Sequence, residues 1–324
     1  MRRLWFLLIC LILPFLSNAQ KKRVWIDTDI MIGKFAHDVD DGLALILALQ
    51  DTNLQIEGIS FVHGVEYAEK VTNKLLDGYS PDLKIPLYPG ADDSTQFLEK
   101  TPAVEAIAEA LRQGPMTILA LGPMTNIGSV LELYPELKHN VKQVVYCAGR
   151  RPGQLLNPGN GKNNFSDYNF DLDPYATGMV LKANVPILLA GFDCAETLYL
   201  SKKDFLHLKK SDRKVDKWLY RKLKSWHGLW RLFLGSKKGF IPFDCATVGA
   251  LLYPDQFKIT PFTVATIATR KNDSKRTVKT KDKFYLEVSE DAAGRIVSYC
   301  DETKTEFKLT LLKALGHPDF IGTN

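Results

Sequence analysis

A single α/β domain with a mainly parallel sheet flanked by helices is the fold that the sequence predicts. Three observations carry it. Apolar, β-branched runs alternate with stretches of helical periodicity; their order from residue 22 onward is strand, helix, strand, helix; and residues 20–324 contain no repeat or linker-like break, so one large core can form.

The first strand covers residues 24–26, where Val24-Trp25-Ile26 supply bulky side chains suited to a sheet. Gly42-Leu43-Ala44-Leu45-Ile46-Leu47-Ala48-Leu49 then predicts a helix. Strands at 56–62, 85–88 and 117–121 alternate with helices at 67–76 and 103–111, and a strand at 141–147 is followed by a helix that starts after Pro174. Residues 202–238 carry Leu219, Leu223, Trp226, Trp230 and Phe233 at helical spacing with Lys and Arg between them. That is the pattern of an amphipathic helix pair rather than of a nucleic-acid surface. Residues 271–283 predict a solvated hairpin or loop. In a parallel sheet ligands bind beyond the carboxyl ends of the strands, so Asp29, His63 and Gly122-Pro123-Met124-Thr125-Asn126 are expected along one edge.

Residues 1–19 combine Arg2 and Arg3, an apolar run and the small-residue end Ser17-Asn18-Ala19. They predict a cleaved secretory signal peptide, and hence a periplasmic or secreted protein with no stable membrane anchor after cleavage. The formal charge is +5, from 42 basic and 37 acidic side chains. Loss of Arg2 and Arg3 with the signal leaves an excess too small to select nucleic acid. Cys147, Cys194, Cys245 and Cys300 lack the spacing of a zinc site, and their surroundings favour free thiols. A small-molecule partner is the class that remains, and the chain is compatible with a homo-oligomer.

Chemistry concentrates where Asp27-Thr28-Asp29 ends the first strand and Asp38-Val39-Asp40-Asp41 opens the next helix, so five carboxylates crowd one junction. Like charges at that density repel, and a hard cation, Ca²⁺ or Mg²⁺, relieves them. A helix cap accounts for only one of the carboxylates. A haloacid-dehalogenase phosphatase would need Thr or Val where Met31 stands, and an EF-hand loop would need a Gly and a closing Glu that are absent. The long segment 149–173 holds Asn157, Asn160, Asn163, Asn164 and then Asp167-Tyr168-Asn169, a set suited to a hydroxyl-rich ligand.

These residues resemble the inosine/uridine-preferring nucleoside hydrolases. Asp27-Thr28-Asp29 with Asp40-Asp41 is similar to that family's opening signature. Gly122-Pro123-Met124-Thr125-Asn126-Ile127, Asp167-Tyr168-Asn169 with Asp173-Pro174-Tyr175-Ala176, and Phe243-Asp244-Cys245-Ala246 match its later elements in order. The resemblance implies a Rossmann-like sheet and a Ca²⁺-dependent N-glycosyl hydrolase that splits ribonucleosides into ribose and free base. It implies Ca²⁺ ligation by Asp29, Asp41, the Thr125 carbonyl and Asp244, with Asp29 also taking the proton from the attacking water. Asp40, Asp167, Asn169 and Asn163 would hold sugar hydroxyls, and Trp226 and His227 would lie at the leaving base. Three departures stand out: the segment 30–39 is longer than the family pattern, Val65 stands where an Asn is expected, and Phe243 replaces a His that protonates the departing base. His227 and His63 are the replacement acids the sequence suggests, with stacking on Trp226 or Trp230 as another route. Two rival readings are hydrolysis of a different riboside and Ca²⁺-dependent ribose binding without turnover.

Overall fold

The computed structural model describes residues 21–154, 158–159, 167–271, 282–291 and 293–318. In chain order these form β1 (Lys22–Thr28), α1 (Asp40–Gln50), β2 (Leu54–Phe61), α2 (Val65–Tyr79), β3 (Leu87–Pro89), α3 (Pro102–Arg112), β4 (Met116–Ala120), α4 (Thr125–Leu133) and β5 (Val141–Tyr146). Then follow α5 (Tyr168–Leu172), α6 (Pro174–Lys182), β6 (Ile187–Leu189), α7 (Phe192–Ala195), α8 (Lys214–Leu234), α9 (Phe243–Leu252), β7 (Phe257–Lys271), β8 (Asp282–Ser289), β9 (Arg295–Thr303) and α10 (Thr305–Ala314).

The described strands make one sheet in the order β3-β2-β1-β4-β5-β6-β9-β7-β8. Pairing is parallel from β3 through to β9, and β7 lies antiparallel to both β8 and β9. Alternation along β1 sends Val24 and Ile26 into the core beneath α1, α2, α8, α9 and α10, while Trp25 enters the opposite core beneath α3, α4 and α6. Helix α1 is buried from Asp40 to Leu49, which explains why its sequence is apolar all round instead of striped. No helix among the described residues is long and apolar enough to cross a membrane.

Strand order reverses between β1 and β4, with β2 on one side and β5 on the other. Such a reversal opens a crevice beyond the strand ends, because the connections on either side of it leave in opposite directions. The ladder continues past the strands there: Leu121 N–H donates to the Asp27 carbonyl (2.8 Å), Val62 N–H to Thr28 (3.1 Å) and Cys147 N–H to Ala120 (3.0 Å). The residues that follow the ends of β1, β2 and β4 therefore lie along one edge, tied to it by backbone hydrogen bonds.

Two expectations need correction. The basic stretch forms one 21-residue helix, α8, instead of a helix pair. Its first part is held in a local turn, where Asp204 accepts hydrogen bonds from the Ser201 N–H (2.6 Å) and hydroxyl (2.8 Å), and only a 3₁₀ turn follows. Four free thiols were expected, yet Cys194 and Cys300 form a disulfide, with Cα atoms 5.0 Å apart. The pair is 106 residues apart in sequence, but β6, which leads into α7, lies beside β9 in the sheet. Cys147 and Cys245 are free and buried. The expected hairpin at 271–283 agrees with the antiparallel β7–β8 pairing, in which Lys271 faces Asp282; the residues between them lie outside the described ones.

Candidate active site

The first acidic knot is set by the end of β1. Asp27 is fully buried and accepts from the Ser60 hydroxyl and from Asn126 Nδ2 (2.9 Å), while Trp25 Nε1 donates to Ser60 (2.8 Å). Asn126 also donates to the Phe61 carbonyl (3.1 Å) and accepts from the Ala91 N–H (2.9 Å). One side chain from the Gly-Pro-Met-Thr-Asn turn thus ties together the ends of β1, β2 and β3. Burial pushes the Asp27 carboxyl up to about 7 against the pull of these donors. Asn126→Ala would orphan the Ala91 N–H and the Phe61 carbonyl and strip a donor from Asp27. We expect it to lower the unfolding free energy by about 2–4 kcal/mol, read from urea midpoints at constant slope; a loss below about 0.5 kcal/mol would contradict this linkage role.

Asp29 follows directly, pressed against the same turn: a Cβ on Gly122 would lie 3.0 Å from the Asp29 nitrogen and 3.2 Å from its Cβ. The second knot sits in the first turn of α1, where both Asp40 and Asp41 are buried and the Thr28 hydroxyl donates to Asp41. Asp244 enters from the first turn of α9, its N–H donating to Asp40 Oδ2 (3.4 Å). Oxygens of Asp38, Asp40 and Asp41 lie within 4.8 Å of one another. Burial, followed by the charges of Asp244 and Asp29, drives the Asp41 carboxyl well above its usual range, and burial, followed by Asp40, does the same to Asp244. Asp29 is raised by burial and then by Asp38; Asp40 reaches about 7 and Asp38 about 6, each chiefly through burial.

This donor set fits a hard divalent cation. All its atoms are carboxylate oxygens, and Asp244 Oδ1 is buried with no hydrogen-bond partner, an arrangement whose cost a cation removes. Asp29, Asp41 and Asp244, the carboxylate ligands that the resemblance implies, line one cavity with Asp38 and Asp40. Thr125, whose carbonyl is the other ligand that the resemblance implies, opens α4 directly after the Gly122-Pro123-Met124 turn. Its hydroxyl donates to Asp173 (2.7 Å), and its carbonyl accepts from the Ser129 hydroxyl (2.7 Å).

Above the carboxylates lies a cavity of about 480 Å³, the size of a small-molecule site. Asp167 and Asn169 form one side of it. The Gly149 N–H donates to Asp167 (2.5 Å), and Asn169 gives its amide hydrogens to the carbonyls of Leu121 (2.7 Å) and Cys147 (3.1 Å), which leaves its oxygen as an acceptor. Burial lifts Asp167 to about 6 while Arg150 pulls it down. Phe192, Trp226, Trp230, Leu234, Ile241 and Phe243 make up most of the apolar and aromatic lining. Burial and then Asp244 push the Cys147 thiol far up, so it stays protonated and is no nucleophile.

Asp29, Asp40, Asp41, Asp167, Asn169, Trp226 and Asp244 are thus brought to one cavity, as the sequence suggests. Asn163 lies outside the described residues. His227 and His63 do not line the cavity: His227 packs edge-on against Phe205, with ring centroids 6.1 Å apart, and His63 sits at the end of β2 with its N–H bonded to Ala91. Burial, followed by Arg231 and Lys202, lowers His227, so it resists carrying a proton. Sequence reasoning missed His37 and Arg150, both in the cavity wall. The unusual length of segment 30–39 was the available signal for His37.

A family model described as inosine-uridine preferring nucleoside hydrolase matches residues 24–310. The pyrimidine-specific ribonucleoside hydrolase RihA of Klebsiella pneumoniae is 27% identical over 183 residues, which cover 48% of this chain and 57% of that protein. The non-specific ribonucleoside hydrolase RihC of Salmonella newport is 30% identical over 203 residues, 52% of this chain and 62% of that protein. These matches span less than two thirds of the curated relatives' length. Among solved structures, the plant nucleoside hydrolase PpNRh1 superposes with a TM-score of 0.71 at 20% identity, covering 92% of this chain and 99% of that one. The inosine-uridine preferring nucleoside hydrolase of Bacillus anthracis gives 0.66 at 18% identity, over 91% and 99%. At such identities the superpositions establish the fold.

Proposed function

The chain belongs to the inosine-uridine preferring nucleoside hydrolase family, and on that premise we propose that it hydrolyses the N-glycosidic bond of a ribonucleoside, releasing ribose and free base, with Ca²⁺ as its cofactor. One observation carries this reading: buried carboxylates from the end of β1 and from α1 and α9 converge on one cavity that aromatic side chains also line. A pentose suits the carboxylates and a heterocyclic base suits the aromatic side chains.

When bound, the cation supplies Lewis-acid charge and a fixed point for vicinal sugar hydroxyls. The chain's own residues account for the rest. Asp29 takes the proton of the attacking water, Asp40 accepts from a sugar hydroxyl, and Asp167 and Asn169 orient the remainder of the pentose. As the C1′–N bond lengthens the ring becomes oxocarbenium-like, and preorganised carboxylates stabilise that positive charge without reorganising. Trp226 and Trp230 offer faces for the base. Export to the periplasm or medium is part of the proposal, supported by the Cys194–Cys300 disulfide, since such bonds persist in oxidising compartments.

Phe243 favours a second reading, hydrolysis of a riboside with a better leaving group, because a phenyl ring has no proton to give. The test is free-ribose release from a panel of purine and pyrimidine nucleosides and aryl ribosides in the presence of Ca²⁺. We expect at least one nucleoside to be split. Cleavage of aryl ribosides alone would select the second reading, and ribose binding without any turnover would overturn both.

A further inference from the structure

The cavity wall poses a chemical question that Phe243 does not answer. A heterocyclic base departs with the electron pair of the C1′–N bond and needs a proton to hold it, and Phe243 and its neighbours Ile241, Trp226 and Trp230 offer no acid. Among the described residues that line the cavity, His37 is the one imidazole.

His37 is delivered by the long segment 30–39, and that segment is anchored. Ile32 packs on Gly42 of α1, where an added Cβ would meet Ile32 Cγ2 at 2.8 Å. The Tyr67 hydroxyl donates to the Ile32 carbonyl (3.2 Å), and Lys222 Nζ donates to the Gly33 carbonyl (3.2 Å). Gly33 at φ +102° and Ala36 at φ 59° make the left-handed bends that return the chain to the cavity. Lys222, Trp226 and Trp230 succeed one another at four-residue spacing along α8, so they share one face of that helix. The helix face that anchors the segment is therefore the face whose indoles line the apolar end of the cavity. His37 Nδ1 lies 2.9 Å from the Phe35 carbonyl. A carbonyl only accepts, so Nδ1 carries a hydrogen and Nε2 is left for a ligand.

We propose that His37, in its imidazolium form with hydrogens on both nitrogens, is the general acid of the reaction, donating the Nε2 proton to a ring nitrogen of the departing base. The inference rests on the nucleosidase reading above. In the step, the C1′–N bond breaks with its electron pair passing to the base, and the base takes the Nε2 proton. Water forms the new C1′–O bond and gives its proton to Asp29. His37 is exposed and regains a proton from solvent.

Leaving-group dependence tests this. A nucleoside needs a protonated leaving group, whereas the nitrophenolate of p-nitrophenyl β-ribofuranoside leaves unaided. In His37→Gln we expect kcat on the best nucleoside to fall about 100-fold or more, while kcat on the nitrophenyl riboside stays within about threefold. An unfolded fraction would lower both rates alike, so their ratio reads the effect even in a less stable preparation. Equal losses on both substrates, or no loss on the nucleoside, would overturn the role of His37. A wild-type protein that cleaves the nitrophenyl riboside but no nucleoside would instead overturn the reading on which the proposal rests.

Discussion

Asp29→Asn is expected to lower kcat on the best nucleoside by about 10²- to 10⁴-fold and to leave the fold intact. The carboxylate lies at the junction of β1 with the cavity, and the Gly-Pro-Met-Thr-Asn turn behind it allows no room to move, since Gly122 already approaches its backbone. An amide of the same shape preserves that packing but can neither take a proton from water nor bear the negative charge that faces the developing cation of the sugar. Stability is spared for an electrostatic reason. Asp29 is raised by burial and by its acidic neighbours, so neutralising it relieves repulsion in the cation-free protein. Kinetics and thermal melts on the same sample separate the two effects. Retention of more than about a tenth of the parental kcat would remove Asp29 from the chemistry.

Chelation gives the second large effect. A cation bound only by the folded state at about 100 times its dissociation constant adds about 2.7 kcal/mol, and for a domain of this size its removal should lower the melting temperature by about 4 °C. The pH dependence has a defined sign. Asp27 and Asp40 reach about 7 and Asp38 about 6 in the folded chain, against 3.8 for an ordinary aspartate. Between those limits the folded protein keeps protons that the unfolded chain has released, so stability without the cation falls as pH rises from about 4 to about 7. The chelated protein should melt higher at pH 5 than at pH 8, and added Ca²⁺ should restore more at pH 8. Identical melts with and without chelator, or a chelated protein most stable above pH 7, would contradict a caged cation.

Strands β1, β2, β4 and β5 were legible because each is a compact apolar run next to a helical repeat, whereas β6, only three residues long, gave no signal of its own and β3 lies two residues later than the run at 85–88 suggests. The carboxylates were legible because they sit at two adjacent turns and at motifs spaced along the chain. Other features depend on neighbours distant in sequence. The Cys194–Cys300 bond arises from strand order, and the antiparallel β7, β8 and β9 carry Thr, Lys and Arg among their apolar residues, a weaker signal than the central strands give. His37 is the clearest case. Its place in the cavity wall is fixed by Tyr67 and Lys222, through contacts separated by 35 and 189 residues respectively, while the sequence alone pointed to His227 and His63.

Crystals grown with Ca²⁺ and ribose, measured for anomalous signal, put the whole arrangement to one test. A single ion peak about 2.3–2.6 Å from oxygens of Asp29, Asp41 and Asp244, with two ribose hydroxyls completing its shell, is the expected density. A sugar seated in the cavity without an ion, or an ion bound away from Asp244, would show that these carboxylates serve some other chemistry.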